Sequence, residues 1–100
     1  VREGPVVERH ITLSIHPGRT AEFERFFAES YRPAALTMPG LIECTLLREA
    51  EHPDRYQMVF RWETADQALA WRVSDVHQAL QPALSELHHG MEIVAYTRVA

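Results

Sequence analysis

An imidazole titrates near neutral pH and can take or give a proton during turnover. His77 has the most suggestive placement for that work. It follows Ser74-Asp75, which has the form of a helix cap, and it flanks an apolar stripe of Val76, Ala79, Leu80, Ala83, Leu84 and Leu87. The plainer reading is a helix-start histidine bonded to its cap. Arg9 shares the strand face of Ile11 and Leu13. A buried guanidinium there needs a partner, and a ligand oxyanion is one; if the strand end projects past its cover, Arg9 is simply solvated. Trp62 and Trp71 offer flat, polarisable walls that suit an aromatic or quinone-like ligand. They also serve equally well as core filling, where Trp is usually found. Tyr56 and Met58 lie on the strand face of Trp62 and would extend the same wall.

Other chemistry has thinner support. His88 and His89 adjoin Glu86, but adjacent residues at a helix end point their rings apart, and a metal needs convergent ligands. No metal and no other cofactor is expected. Cys44, on a core-facing strand, reads as a small buried hydrophobe. The sequence holds no phosphate loop, dinucleotide fingerprint or nucleophile elbow.

The elements that must position these residues follow from periodicity. Val6 to Ile15 alternates as a strand, and His16-Pro17-Gly18 ends it. Thr20 is expected to cap a helix whose apolar positions are Phe23, Phe26, Phe27, Tyr31 and Ala34. Met38-Pro39-Gly40 leads to a second strand, Leu41 to Glu49, with Ile42, Cys44 and Leu46 on one face. The third, Arg55 to Glu63, turns Tyr56, Met58, Phe60 and Trp62 to one side. Thr64-Ala65-Asp66-Gln67 has the form of a capping box and predicts a helix to about Val73. A further helix follows Ser74, with Pro82 expected to kink or divide it. Met91 to Val99 is the last strand.

The 100 residues make one domain's worth of chain, 1–100, with 1–5 expected to be flexible. Apolar residues are 46% and charged residues 24%, a globular rather than a disordered mixture. A net charge of −4 and the absence of any Lys/Arg run argue against nucleic acid and anionic membranes as partners. One cysteine cannot form an intramolecular disulfide, so a reducing, cytoplasmic setting is expected. No apolar stretch is long enough to span a membrane, and the first residues do not resemble a signal peptide.

Strand, helix, strand, strand, helical region, strand is the order of a split βαβ fold. The expectation is an α+β, ferredoxin-like βαββαβ unit: a four-stranded antiparallel sheet with helices on one face. The faces carrying Ile11/Leu13, Ile42/Leu46 and Met58/Trp62 should meet the helices. The opposite face carries Leu41, Leu47, Val59, Val94 and Tyr96 among polar residues. That is too apolar to leave wet, and a homodimer packed sheet to sheet would hide it.

The chain resembles the antibiotic biosynthesis monooxygenase-like domains of the dimeric α/β-barrel superfamily. The resemblance runs from Val6 to Val99. It is carried by Pro17-Gly18 with Phe23, Pro39-Gly40, Pro53-Asp54-Arg55-Tyr56, Trp62-Glu63-Thr64, Ser74-Asp75-Val76-His77 and Pro82-Ala83-Leu84. It implies a barrel shared by two subunits and a small-molecule pocket between helices and sheet in each. Haem-degrading relatives have an Asn, a Trp and a His at positions that hold Arg9, Trp71 and Gln81 here, so haem degradation is not expected. Oxygenases of polyketide aromatics have an Asn and a Tyr where this chain has Met58 and Ala68, although Trp62 matches.

The resemblance implies a cofactor-free monooxygenase of a small aromatic or quinol-type compound, with His77 as base, Arg9 as anion partner, and Trp62, Trp71, Tyr56 and Met58 as walls. Two alternatives stand beside it: a non-catalytic small-molecule binding dimer, and an isomerase of a small hydroxy-carbonyl compound.

Overall fold

A computed structural model describes residues 5–100. The expected flexible start, 1–5, lies outside the described residues apart from Pro5. The elements are β1 (Val7–Ile15), α1 (Thr20–Phe26), a π-helical turn (Phe27–Tyr31), α2 (Arg32–Ala35), β2 (Leu41–Arg48), β3 (Arg55–Trp62), α3 (Ala65–Val73), α4 (Asp75–Leu87) and β4 (His88–Thr97). The strands form one antiparallel sheet in the order β2-β3-β1-β4. This is the ferredoxin-like α+β arrangement that the order of elements predicts.

Alternation decides which face of the sheet meets the helices. Ile11, Leu13 and Ile15 of β1 are buried, as are Tyr56, Met58, Phe60 and Trp62 of β3. Across the β1/β3 ladder Ile11 stands opposite Met58 and Leu13 opposite Tyr56, so one face of the central pair is continuous. Phe23, Phe27, Tyr31 and Ala35 cover it from the first helical segment, Ala68 and Trp71 from α3, and Leu84 and Leu87 from α4. Burying each of these large side chains contributes about 1.5–3 kcal/mol before entropy is counted. No described helix is long and apolar enough to cross a membrane.

Several local expectations are corrected. Thr20 is the first helical residue rather than the cap; Arg19 is the N-cap and makes no side-chain capping bond. A bulge in β2 sets Leu41 opposite Trp62 and Glu43 opposite Arg61, leaving Ile42 as the extra residue. Leu41 therefore packs against the core and Ile42 is exposed, the reverse of simple alternation. Thr64 accepts from the Gln67 backbone N–H at 3.2 Å, but the box is only half made: the Gln67 Oε1 is buried without a partner. Pro82 lies inside one unbroken helix and does not divide it. The last strand begins at His88, with a register shift against β1 at Ser14/Ile15.

The π turn has a sequence cause. Pro33 has no N–H to give to the carbonyl four residues earlier, and its ring crowds that carbonyl. The helix widens just before it, over Phe27–Tyr31, and Tyr31 ends the widened turn as a buried side chain.

Candidate functional site

Between the helices and the β1/β3/β4 side of the sheet lies a cavity of about 230 Å³. The sheet supplies Arg9, Ile11, Met58, Phe60 and Trp62 to its wall, with Met91 and Ile93 from β4. Tyr31 comes from the π turn, Trp71 and Arg72 from the end of α3, and His77, Gln81 and Leu84 from α4. Five of the six residues singled out from the sequence therefore meet around one space: His77, Arg9, Trp62, Trp71 and Met58. Tyr56 does not line it. Tyr56 packs edge-on to Phe23 with ring centroids 4.9 Å apart, and its hydroxyl donates to the Glu24 Oε2 at 2.6 Å. Two residues along a strand from Met58 shift the side chain to the far end of the core, under α1.

His77 is placed by its cap. The Ser74 Oγ accepts from the His77 backbone N–H at 3.1 Å and donates to the Trp71 carbonyl at 2.8 Å, tying the start of α4 to the end of α3. The ring then stands edge-on to Trp71, centroids 4.9 Å apart at 71°, and 6.3 Å from Tyr31. Tyr31 and Trp71 are perpendicular at 5.8 Å, and Phe60 lies at 6.0 Å from Tyr31 and 6.5 Å from Trp71. The histidine is one member of an aromatic cage.

One turn on, the Gln81 Nε2 lies 3.1 Å from the His77 Nε2. With the amide donating, that ring nitrogen is the acceptor and the Nδ1 carries the proton. The Nδ1 is buried and makes no hydrogen bond of good geometry, the Arg72 backbone carbonyl offering it only a weak contact. Burial pulls the His77 pKa below the ordinary imidazole value; the Arg72 backbone carbonyl works against this, while the charges of Arg9 and Arg72 add to it. The result is an imidazole that stays neutral, and so free to accept a proton, at pH values where a solvated one is protonated.

Arg9 is half-buried, and burial together with the Arg72 guanidinium disfavours its charge. Neither arginine makes an ion pair among the described residues, and no acidic residue lines the cavity. Trp62 is fully buried and its indole Nε1 has no partner, a donor that costs about 1–3 kcal/mol to leave unmade. Burial raises the Tyr31 hydroxyl pKa strongly, so it remains a neutral phenol. Cys44 is buried and free, its thiol pushed up to about 11 by burial. His89 stacks near His16, centroids 5.3 Å apart, and among the described residues no three His, Cys, Asp or Glu side chains form a metal-binding group.

The sequence reading missed Tyr31, Arg72 and Gln81 as parts of the wall. Tyr31 looked like one more position of an apolar stripe. Arg72 gave no signal. Gln81 had one, its spacing of four from His77, which puts both on one helix face.

Residues 7–83 match the model of the family described as antibiotic biosynthesis monooxygenase. Among curated proteins, the 42.8 kDa protein in the whiE locus of Streptomyces coelicolor is 31% identical over 75 residues, covering 75% of this chain but 19% of that protein. The chain thus spans a small part of that relative. Among solved structures, SnoaB from Streptomyces nogalater, a cofactor-independent oxygenase, is 25% identical with a TM-score of 0.87, covering 97% of this chain and 96% of its own. A Bordetella bronchiseptica structure named for the same family is 26% identical with a TM-score of 0.84, covering 96% and 99%. A Methanosarcina mazei protein at 21% identity and a TM-score of 0.86, covering 95% and 94%, shares the fold. The match over most of β1 to α4 shows that this chain belongs to the antibiotic biosynthesis monooxygenase family.

Proposed function

We propose that this protein is a cofactor-independent monooxygenase acting on a small phenol or quinol-type aromatic. The observation that carries the reading is the depressed, aromatic-walled imidazole of His77 facing the same cavity as the Arg9 guanidinium. The family membership and the SnoaB likeness support it.

The chemistry asks little of the protein. His77 takes the phenolic proton, and Arg9 stabilises the phenolate that results. The partnerless Trp62 N–H is a second donor for a substrate oxygen. The electron-rich ring anion reduces dioxygen directly. One oxygen atom ends as the new ring carbonyl and the other leaves as water, so a phenol plus dioxygen gives a quinone plus water. The substrate supplies the electrons, and a dry cavity protects the intermediates from water. Gln81 must move from the ring nitrogen, or turn its amide, as the imidazole takes the proton.

The working unit in this reading is a homodimer formed through the open sheet face. Leu47, Val94 and Tyr96 are all exposed there, and Val59 is half-exposed. Polar pairs on the same face, such as Arg61–Glu43 at 3.2 Å, would remain paired in the interface. The free thiol of Cys44 fits a reducing, cytoplasmic compartment.

Oxygen uptake tests the enzyme reading. Chelator-treated protein with an electron-rich hydroquinone or hydroxynaphthalene should consume oxygen well above the uncatalysed rate. Tight binding without uptake would favour the binding-module alternative. Proton exchange or isomerisation under nitrogen would favour the isomerase.

A further inference from the structure

A second cavity, of about 290 Å³, adjoins the aromatic one. Its wall is aliphatic: Val7, Ala65, Ala68, Leu69, Ile93 and Ala95. Arg9, Arg72 and Ile93 line both spaces. The two guanidiniums therefore stand where an aromatic chamber meets an aliphatic trough, and neither chamber contributes a carboxylate to neutralise them. Burial and the neighbouring Arg72 guanidinium both disfavour the charge on Arg9, and an anion between the two arginines would offset both. Arg72 also sits in the last turn of α3, where the helix dipole favours a cation. That accounts for one arginine and leaves the half-buried Arg9 unexplained.

We propose that the natural ligand is an aromatic acid with an aliphatic branch. Its ring occupies the chamber of Trp71 and His77, its carboxylate bridges Arg9 and Arg72, and its chain lies in the trough along Leu69. This assignment rests on the oxygenase reading for the site of the ring, and it adds the permanent acidic group and the chain. The carboxylate is distinct from the phenolic oxygen that loses its proton to His77: it is ionised before binding and anchors the ring rather than reacting, and with Arg9 held by it the partnerless Trp62 N–H is the donor left to stabilise the phenolate.

Calorimetric titration of the unmodified chain with three probes tests it: (4-hydroxyphenyl)ethanoate, 2-(4-hydroxyphenyl)hexanoate and the methyl ester of the hexanoate. The hexanoate should bind about tenfold more tightly than the ethanoate, the worth of one to two buried methylenes. The ester should bind about tenfold more weakly than the acid. Arg72→Gln should close the gap between acid and ester and keep the gain from the chain. Leu69→Asn, at an exposed position, should do the reverse. An ester as tight as the acid, no gain from the chain, or no binding of any probe would overturn the proposal. The expected binding pattern with no oxygen uptake would contradict the oxygenase reading alone. Oxygen uptake on a neutral hydroquinone, with no preference for acid or chain, would contradict this inference and leave the oxygenase reading standing.

Discussion

His77→Ala is expected to lower turnover of a hydroxylated aromatic by ~100-fold or more, the usual scale for losing a general base. The fold should survive. The cap that starts α4 uses the His77 backbone N–H, which alanine retains, and the Ser74 hydroxyl is untouched. What goes is the edge-on contact with Trp71, about 0.5–1.5 kcal/mol, or several degrees of melting temperature in a domain this size. The pH profile separates a base from a prop. In the unaltered protein the rate should rise with pH as the neutral imidazole forms. Because burial lowers the His77 pKa, that rise should fall below the ordinary imidazole value of about 6.5. The mutant should lose the step. Stability carries the same sign. The unfolded chain protonates His77 at the ordinary value and the folded one only at lower pH. Stability is therefore full above about 6.5 and declines as pH falls through the folded pKa. A variant that melts earlier but turns over normally per folded molecule would remove His77 as the base.

Val94→Asp should convert a dimer to a monomer at micromolar concentration. Val94 lies opposite His10 on the open face of the sheet, in the edge strand, and is 39% exposed in the single chain. An aspartate there is solvated in the monomer and disturbs strand preference by less than ~1 kcal/mol. In a twofold interface the substitution appears twice, and each desolvated, unpaired carboxylate costs about 3–5 kcal/mol before relaxation. The dimer dissociation constant should rise by ~10³-fold or more. Sedimentation equilibrium of the unaltered chain should give about twice 11.5 kDa, and the variant should sediment as a single chain. A monomeric unaltered protein would contradict the paired-sheet assembly.

The sheet and its helices were legible because β1 and β3 keep their period through the core and Thr64 and Ser74 mark the helix starts that follow. Tyr56, Met58, Phe60 and Trp62 alternate without interruption and are all buried. What escaped was local departure from period. The extra residue at Ile42 exchanges the faces of Leu41 and Ile42, and no residue type there announces a bulge. The π turn before Pro33 rotates Tyr31 toward the cavity wall, a consequence of one missing N–H that a stripe of aromatic residues conceals. The site was legible where chemistry and element boundary coincide, as at Ser74 and His77. It was not legible where a place in the cavity wall depends on which end of a face a residue occupies. Tyr56 and Met58 share a face, yet Tyr56 is bonded to Glu24 and Met58 lines the cavity. Arg72 joins the site through the packing of α3 against the sheet, which no spacing rule within α3 predicts.

The most direct measurement of the central claim is turnover under oxygen labelled with the heavy isotope, with chelator present and no flavin, metal or nicotinamide added. One labelled atom should enter each molecule of quinone product and the other should appear in water, with one dioxygen consumed per product and the yield collapsing in His77→Ala. Product whose new oxygen comes from solvent, or turnover that needs an added reductant or metal, would contradict the account in which the deprotonated substrate itself reduces dioxygen.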